Sequence, residues 1–288
     1  MNAKALILLA LQIAIAGTVF TYGLRATYDD LLYIVKRPAL LLRSLIAMLV
    51  IMPLMVVTCV YFLDLPQPTA VVLLALSVSP VPPLLPQKER KAGGSIAPYG
   101  LGLLVVLALV SIITMPLTIA AFNWLFDRPF AVGLTAIIGI VLKMIFAPLA
   151  AGIFFSRLMP RVGLRLLRPL RLVATTLLLI GVAALLAGSW RAVWSAIGQS
   201  TIVAILVFVL AGFVVGHLLG GPKQEHATVL ALATASRHPA IALAVASANY
   251  PGEPFAPTLI LYLLVCTLMA IPYVKWQRSR RAVYARTS

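Results

Sequence analysis

The sequence predicts an all-α polytopic membrane protein of about nine transmembrane helices, and three observations predict it. Of its 288 residues, 62% are apolar and only 10% charged, too few charges to cover the surface of a soluble domain. Apolar runs of about 20 residues recur from end to end, each long enough to cross a hydrocarbon core. Basic residues gather on every second connection between those runs. No polar stretch is large enough to fold separately, so residues 1–288 read as a single transmembrane domain.

The spans fall at about 5–24, 39–63, 70–87, 96–123, 130–155, 172–189, 195–216, 226–249 and 256–274. The run after Lys4 lacks a small-residue cleavage site, and losing it would spoil the charge alternation, so it reads as span one rather than a signal peptide. One set of connections carries Arg25, Lys36, Arg37 and Arg43, then Lys88, Arg90 and Lys91, then Arg157, Arg161, Arg165, Arg168 and Arg171. Lys223 and the C-terminal Lys275, Arg278, Arg280, Arg281 and Arg286 complete that side, while the other receives only Lys4, Arg128 and Arg191. By the positive-inside rule the rich side is cytoplasmic, which places the N-terminus outside and the C-terminus inside. The net charge of +16 is thus topological, and nucleic acid is excluded as a partner. Trp124, Trp190, Trp194 and Trp276 fall at span ends, where indole rings prefer the headgroup region. These proportions suit a bacterial inner membrane.

Cys59 and Cys266 lie within spans, and no Cys/His cluster has metal-ligand spacing, so neither a disulfide framework nor a metal site is expected. Paired intramembrane carboxylates, a metal-binding helix motif and a Ser/His/Asp set are all missing, which argues against an enzyme. The seven acidic residues, Asp29, Asp30, Asp64, Glu89, Asp127, Glu225 and Glu253, all fall in connections or at span ends. No carboxylate at membrane depth is left to carry a cation or a proton.

Most spans are ordinary apolar helices, with Pro53, Pro116, Pro148 and Pro272 as kinks that neighbouring helices can tolerate. Gly212, Gly216 and Gly220 recur every four residues in span seven and predict close helix packing, with a homodimer contact as the second reading. Arg157, Arg161, Arg165 and Arg168 recur every three or four residues between spans five and six. On a helix they share one face, which predicts a surface segment lying against anionic lipid headgroups on the cytoplasmic side.

Two spans differ from the rest. Span three contains Ser79-Pro80-Val81-Pro82-Pro83, followed by Pro86, and three prolines in four residues cannot continue a helix. Span eight is interrupted at Ser236-Arg237-His238-Pro239. Broken backbone at bilayer depth survives only where it is buried in protein or lines a polar cavity. The two breaks run in opposite directions, in halves of about 1–125 and 165–275, and such a pair points to an inverted-repeat transporter.

With these breaks in place, the chain resembles the bile acid:sodium symporter family along nearly its whole length. Gly23-Leu24 is similar to the end of a glycine-rich helix segment in that family. Ile51-Met52-Pro53-Leu54 resembles its third helix, and Lys143-Met144 with Pro148 and Gly152 its sixth. Pro80 falls in its first discontinuous helix, and Thr234 and Pro239 in its second. The resemblance implies a panel domain beside a core domain with two crossing discontinuous helices. It also implies sodium-driven transport of small organic anions such as bile acids and other carboxylates or sulfates. The family's sodium ligands are replaced here: a Glu position holds Ala233, a Gln holds Arg237, a Ser-Asn pair is Leu85-Pro86, and a third-helix Gln is Met48. Sodium is therefore a doubtful coupling ion, although backbone carbonyls and hydroxyls could still form a cryptic site.

Arg237 is the leading candidate. Arginine at a helix centre costs on the order of 2.5–3.5 kcal/mol on insertion scales, so a role is the default. Its guanidinium could replace a cation and tie the broken helices through freed carbonyls, or capture a substrate carboxylate, sulfate or phosphate. Beside that charge His238 is expected to stay neutral and to hydrogen-bond. Ser79, Thr234 and Ser236 are candidate polar lining, with Lys143 and Gln12 as further candidates for the substrate path and cavity wall. Three functions stay open: an organic-anion transporter with atypical coupling, a conventional sodium symporter with a cryptic site, and a non-transporting receptor or sensor on the same fold.

Overall fold

A computed structural model describes residues 3–84, 98–126, 134–198 and 200–287, and every regular element among them is a helix. The first, α1, spans Ala3–Gly23, and a single turn, α2, covers Tyr28–Leu31. Helix α3 (Pro38–Leu45) passes through a π-helical segment, Ile46–Ile51, into α4 (Met52–Phe62). Then come α5 (Gln67–Val78) and α6 (Pro98–Phe126). Helix α7 (Leu134–Val141) likewise passes through a π-helical Leu142–Phe146 into α8 (Ala147–Leu158). The chain continues as α9 (Pro160–Ser195), α10 (Thr201–Leu219), α11 (Gln224–Ala235), α12 (Pro239–Asn249) and α13 (Ala256–Thr287). Leu85, Pro86, Lys88, Glu89, Arg90, Lys91, Asp127 and Arg128 lie outside the described residues.

Among the described residues, seven runs are long and apolar enough to cross a membrane, where the sequence predicts nine spans. Two further apolar helices, Leu9–Gly23 and Gln67–Val78, are shorter than a full crossing and lie where the sequence places spans one and three. Helix α5 is short because Ser79 turns extended ahead of Pro80, and a residue before proline is pushed out of the helical region. The breaks also decide what is central. In Gln224–Asn249, which holds α11 and α12, 78% of the apolar stretch is buried, against 11% in α9.

Both π-helical segments end two residues before a proline, and the spacing explains what each achieves. Met52 N–H bonds the Ala47 oxygen five residues back, and Ala147 N–H bonds that of Leu142. Continuing either series by one residue reaches Pro53 and Pro148, which have no N–H. The proline partner is therefore missing for one carbonyl in each helix, that of Met48 and that of Lys143.

The connections cluster as the charge pattern requires. At one end Tyr33 and His226 share a 2.9 Å hydrogen bond, the Gln224 amide donates to Gln277 at 2.8 Å, and the Arg157 guanidinium lies over the Tyr28 ring. All of these flank basic connections. At the other end Thr69 and Thr201 pair at the starts of α5 and α10.

Two helix contacts rest on missing side chains. Gly23 of α1 meets Gly152 of α8, where a Cβ on Gly23 would fall 2.3 Å from the Leu149 oxygen. The glycine stripe of α10 seats α11: a Cβ on Gly212, Gly216 or Gly220 would collide with Ala235, Ala231 or Ala227. That stripe is consumed inside the chain, which removes the reason for reading it as a homodimer face. The arginine-rich segment also differs from expectation. From Pro160 onward it is the first third of α9, continuous with span six, because arginine and leucine favour helix and Pro160 sits at its first turn.

Candidate functional site

The two breaks meet in the middle of the bundle. Helix α5 ends at Val78 and Ser79 is extended; α11 ends at Ala235, and Ser236 and His238 are extended before Pro239 opens α12. Proline suits that first helical position because its missing N–H would have no intrahelical acceptor there. His238 N–H donates to the Pro80 oxygen at 2.9 Å, so one broken strand of backbone satisfies the other. Pro80, Val81, Pro82 and Pro83 are buried beside it.

Arg237 is 1% exposed and anchors this crossing. Its Nη2 donates to the Met48 oxygen at 2.9 Å and its Nη1 to the Ser79 oxygen at 3.2 Å. The first acceptor is the carbonyl that Pro53 and the π-helical turn leave without a helical donor. The second belongs to the end of α5, where final carbonyls lack intrahelical partners. A positive charge is thus held by two backbone dipoles. Among the described residues no acidic side chain pairs with it, since the one ion pair there is Lys36–Asp29.

A tyrosine braces the same turn. Arg237 N–H donates to the Tyr262 hydroxyl at 2.6 Å, and that hydroxyl donates to the Ala235 oxygen at 3.0 Å. Ser236 and Cys266 sit 3.3 Å apart beside it. The sequence reading missed Tyr262, Cys266 and the Met48 carbonyl. Tyr262 carried a usable signal, because a tyrosine hydroxyl in the middle of an apolar run needs a partner.

Two polar atoms at the crossing are buried without a partner: Arg237 Nε and His238 Nε2. His238 Nδ1 accepts from Ile241 N–H at 3.4 Å, which places the proton of a neutral ring on Nε2. Both unpaired atoms are therefore donors. By contrast the Ser79 and Thr234 hydroxyls turn back onto their own helices, to Ala75 at 2.6 Å and Leu230 at 2.7 Å. The structure brings Ser79, Pro80, Pro82, Pro83, Thr234, Ser236, Arg237, His238 and Pro239 together. Gln12 on α1 and Lys143 in the second π-helical segment are exposed and lie apart from this cluster.

Helices α1, α8 and α9 pack chiefly on one another, while α10 and α11 form the tightest pair of the remainder. This separates a panel-like group from a core that holds both breaks. The curated "Probable sodium/metabolite cotransporter BASS6, chloroplastic" of Arabidopsis thaliana is 22% identical over 276 residues, which is 90% of this chain and 66% of that protein. The chain therefore spans just under two thirds of that relative's length. The profile of the Sodium Bile acid symporter family matches residues 12–196, a stretch that contains the first break and Met48. Matched over more than half its length, the chain belongs to the sodium bile acid symporter family of transporters.

Proposed function

We propose that this chain is a secondary transporter of a small organic anion that operates without sodium, with Arg237 supplying the fixed positive charge at the crossing. The observation that carries the reading is the guanidinium itself: buried, bonded to the Met48 and Ser79 carbonyls, and without an acidic partner among the described residues. A cation held by carbonyls of two elements does the structural work of a bound metal ion without having to be recruited. Burying it uncompensated is costly, and an arriving anion relieves that cost. Arg237 Nε–H and His238 Nε2–H, on consecutive residues, are both buried donors without a partner, the kind of group an anionic oxygen takes up. Rocking of the panel-like helices against the core would open these donors to alternate sides, with Ser79, Thr234 and Ser236 as polar lining and Gln12 and Lys143 on the panel wall. The charge alternation sets the arginine-rich face toward the cytoplasm.

The first test is thermal stability of the purified protein in sodium, potassium and choline chloride at matched ionic strength. A bound ion stabilises the folded state by mass action, so equal midpoints are expected. A sodium-specific rise would overturn the sodium-free reading and restore symport. Proteoliposomes then separate transporter from receptor: labelled small carboxylates should accumulate down an imposed gradient in choline as well as in sodium. A receptor would bind the same ligands and show no flux.

A further inference from the structure

Helix α9 has 36 residues, about 54 Å at 1.5 Å per residue, while a hydrocarbon core is about 30 Å thick. Its sides are sharply unequal. Gly163, Leu167, Ala174 and Gly181 are buried along most of its length, with Val193 buried off this line near the far end; Gly163 faces Leu24, Ala174 faces Gly17 and Gly181 faces Leu11, so this stripe is pressed on α1 or the turn after it. Taking about 100° per residue, Arg161, Arg165 and Arg168 lie roughly 125–175° around the helix from the middle of that stripe. All three are exposed. Leu172, Leu179, Trp190 and Trp194 follow on the same outer line, and they are 60%, 64%, 55% and 65% exposed.

This outer line reads as a bilayer cross-section: arginines at one end, leucines in the middle, indoles at the other. Arg168 and Trp190 are about 33 Å apart along the axis, one hydrocarbon thickness, which puts the arginine row at the headgroup level of one leaflet. Among the described residues no acidic side chain forms an ion pair with it. Helix α9 contains no Asp or Glu. Nearby, Asp29 is taken by Lys36 and Asp30 by the Thr27 capping box. Arg157 extends the positive surface at the end of α8, seated over the Tyr28 ring.

We propose that Arg161, Arg165 and Arg168 form a binding site for the headgroup phosphates of anionic phospholipids in the leaflet at the arginine-rich end. Each phosphate is met by guanidinium forks snorkelling from a lipid-facing helix, with acyl chains lying along Leu172 and Leu179. The site sits on the panel-like group, so an anchored lipid would fix that group relative to the bilayer.

The test is native mass spectrometry of the delipidated full chain, titrated with phosphatidylglycerol and with phosphatidylcholine of the same acyl chains. Near a charged surface each arginine contributes about fivefold in affinity, so three contribute roughly a hundredfold at low ionic strength. Phosphatidylglycerol should bind in clear preference. The R161Q/R165Q/R168Q variant should lose that preference, R161K/R165K/R168K should keep most of it, and R278Q/R280Q should keep it whole. Equal affinity of the unmodified protein for both lipids overturns the proposal even if the glutamine variant fails to fold. So does full retention of the preference in the glutamine variant, or displacement of the lipid by millimolar inorganic phosphate, which would make the row a free-anion site.

Discussion

Replacing Arg237 by methionine removes the charge and keeps most of the volume. Two bonds are lost, to Met48 at 2.9 Å and Ser79 at 3.2 Å. Interhelical hydrogen bonds within bilayers are worth about 0.6–1.7 kcal/mol each, and charged donors sit at the upper end, so the loss is roughly 2–3 kcal/mol. Against this, arginine at membrane depth costs about 2.5–3.5 kcal/mol, which methionine does not incur. The two terms nearly cancel. Arg237→Met should therefore stay folded, with a midpoint within roughly 2–4 °C of the parent. Arg237→Lys retains the desolvation cost but cannot hold two divergent carbonyls with a planar fork, so it should be the less stable variant, by about 1–2 kcal/mol. The assay pairs thermal unfolding in detergent with anion flux in proteoliposomes, corrected for folded protein. Flux should vanish in Arg237→Met despite the retained fold. A fall of more than about 10 °C in that variant, or unchanged flux from it, would refute the reasoning.

Gly216→Ala puts a Cβ 2.5 Å from Ala231 Cα and the Leu230 oxygen, both backbone, and overpacking of this kind costs about 1–3 kcal/mol. Gly188→Ala, where nothing lies within 4 Å, should instead gain about 0.5–1 kcal/mol from helix propensity, and a melt of the two variants side by side checks both. Tyr262→Phe strips the hydroxyl from both Arg237 N–H and Ala235 C=O, and should lower stability by about 1–2 kcal/mol with a larger fractional loss of flux. Asp29 is held below the usual carboxylate range by the Lys36 hydrogen bond and charge. Its folded value lies below its unfolded one, so its contribution is present above about pH 4 and is lost as pH falls through the folded value. Asp29→Asn should then differ from the parent by a constant midpoint shift between pH 6 and 8, with the difference closing in acid.

Much of this molecule is legible in one dimension, because hydropathy and charge are properties of each residue and add along the chain. The apolar runs, the single arginine-rich end and both breaks follow from composition and from prolines that cannot donate. The arginine-rich segment shows where such reading stops. Its periodicity correctly indicated a helix, but whether that helix continues into span six depends on what packs against it. The glycine stripe behaved alike: spacing predicted close packing, yet only the facing Ala227, Ala231 and Ala235 show that its partner lies within the same chain.

The sequence by itself determined that this is a helical membrane protein with two interrupted spans and one arginine that demands an explanation. Only the tertiary structure decided what that arginine holds. Its acceptors are backbone carbonyls 189 and 158 positions away, and carbonyls are chemically identical at every residue. Which of them is free depends on Pro53 and a π-helical turn, and which is near depends on how α4, α5 and α11 cross. Neither property belongs to any residue alone.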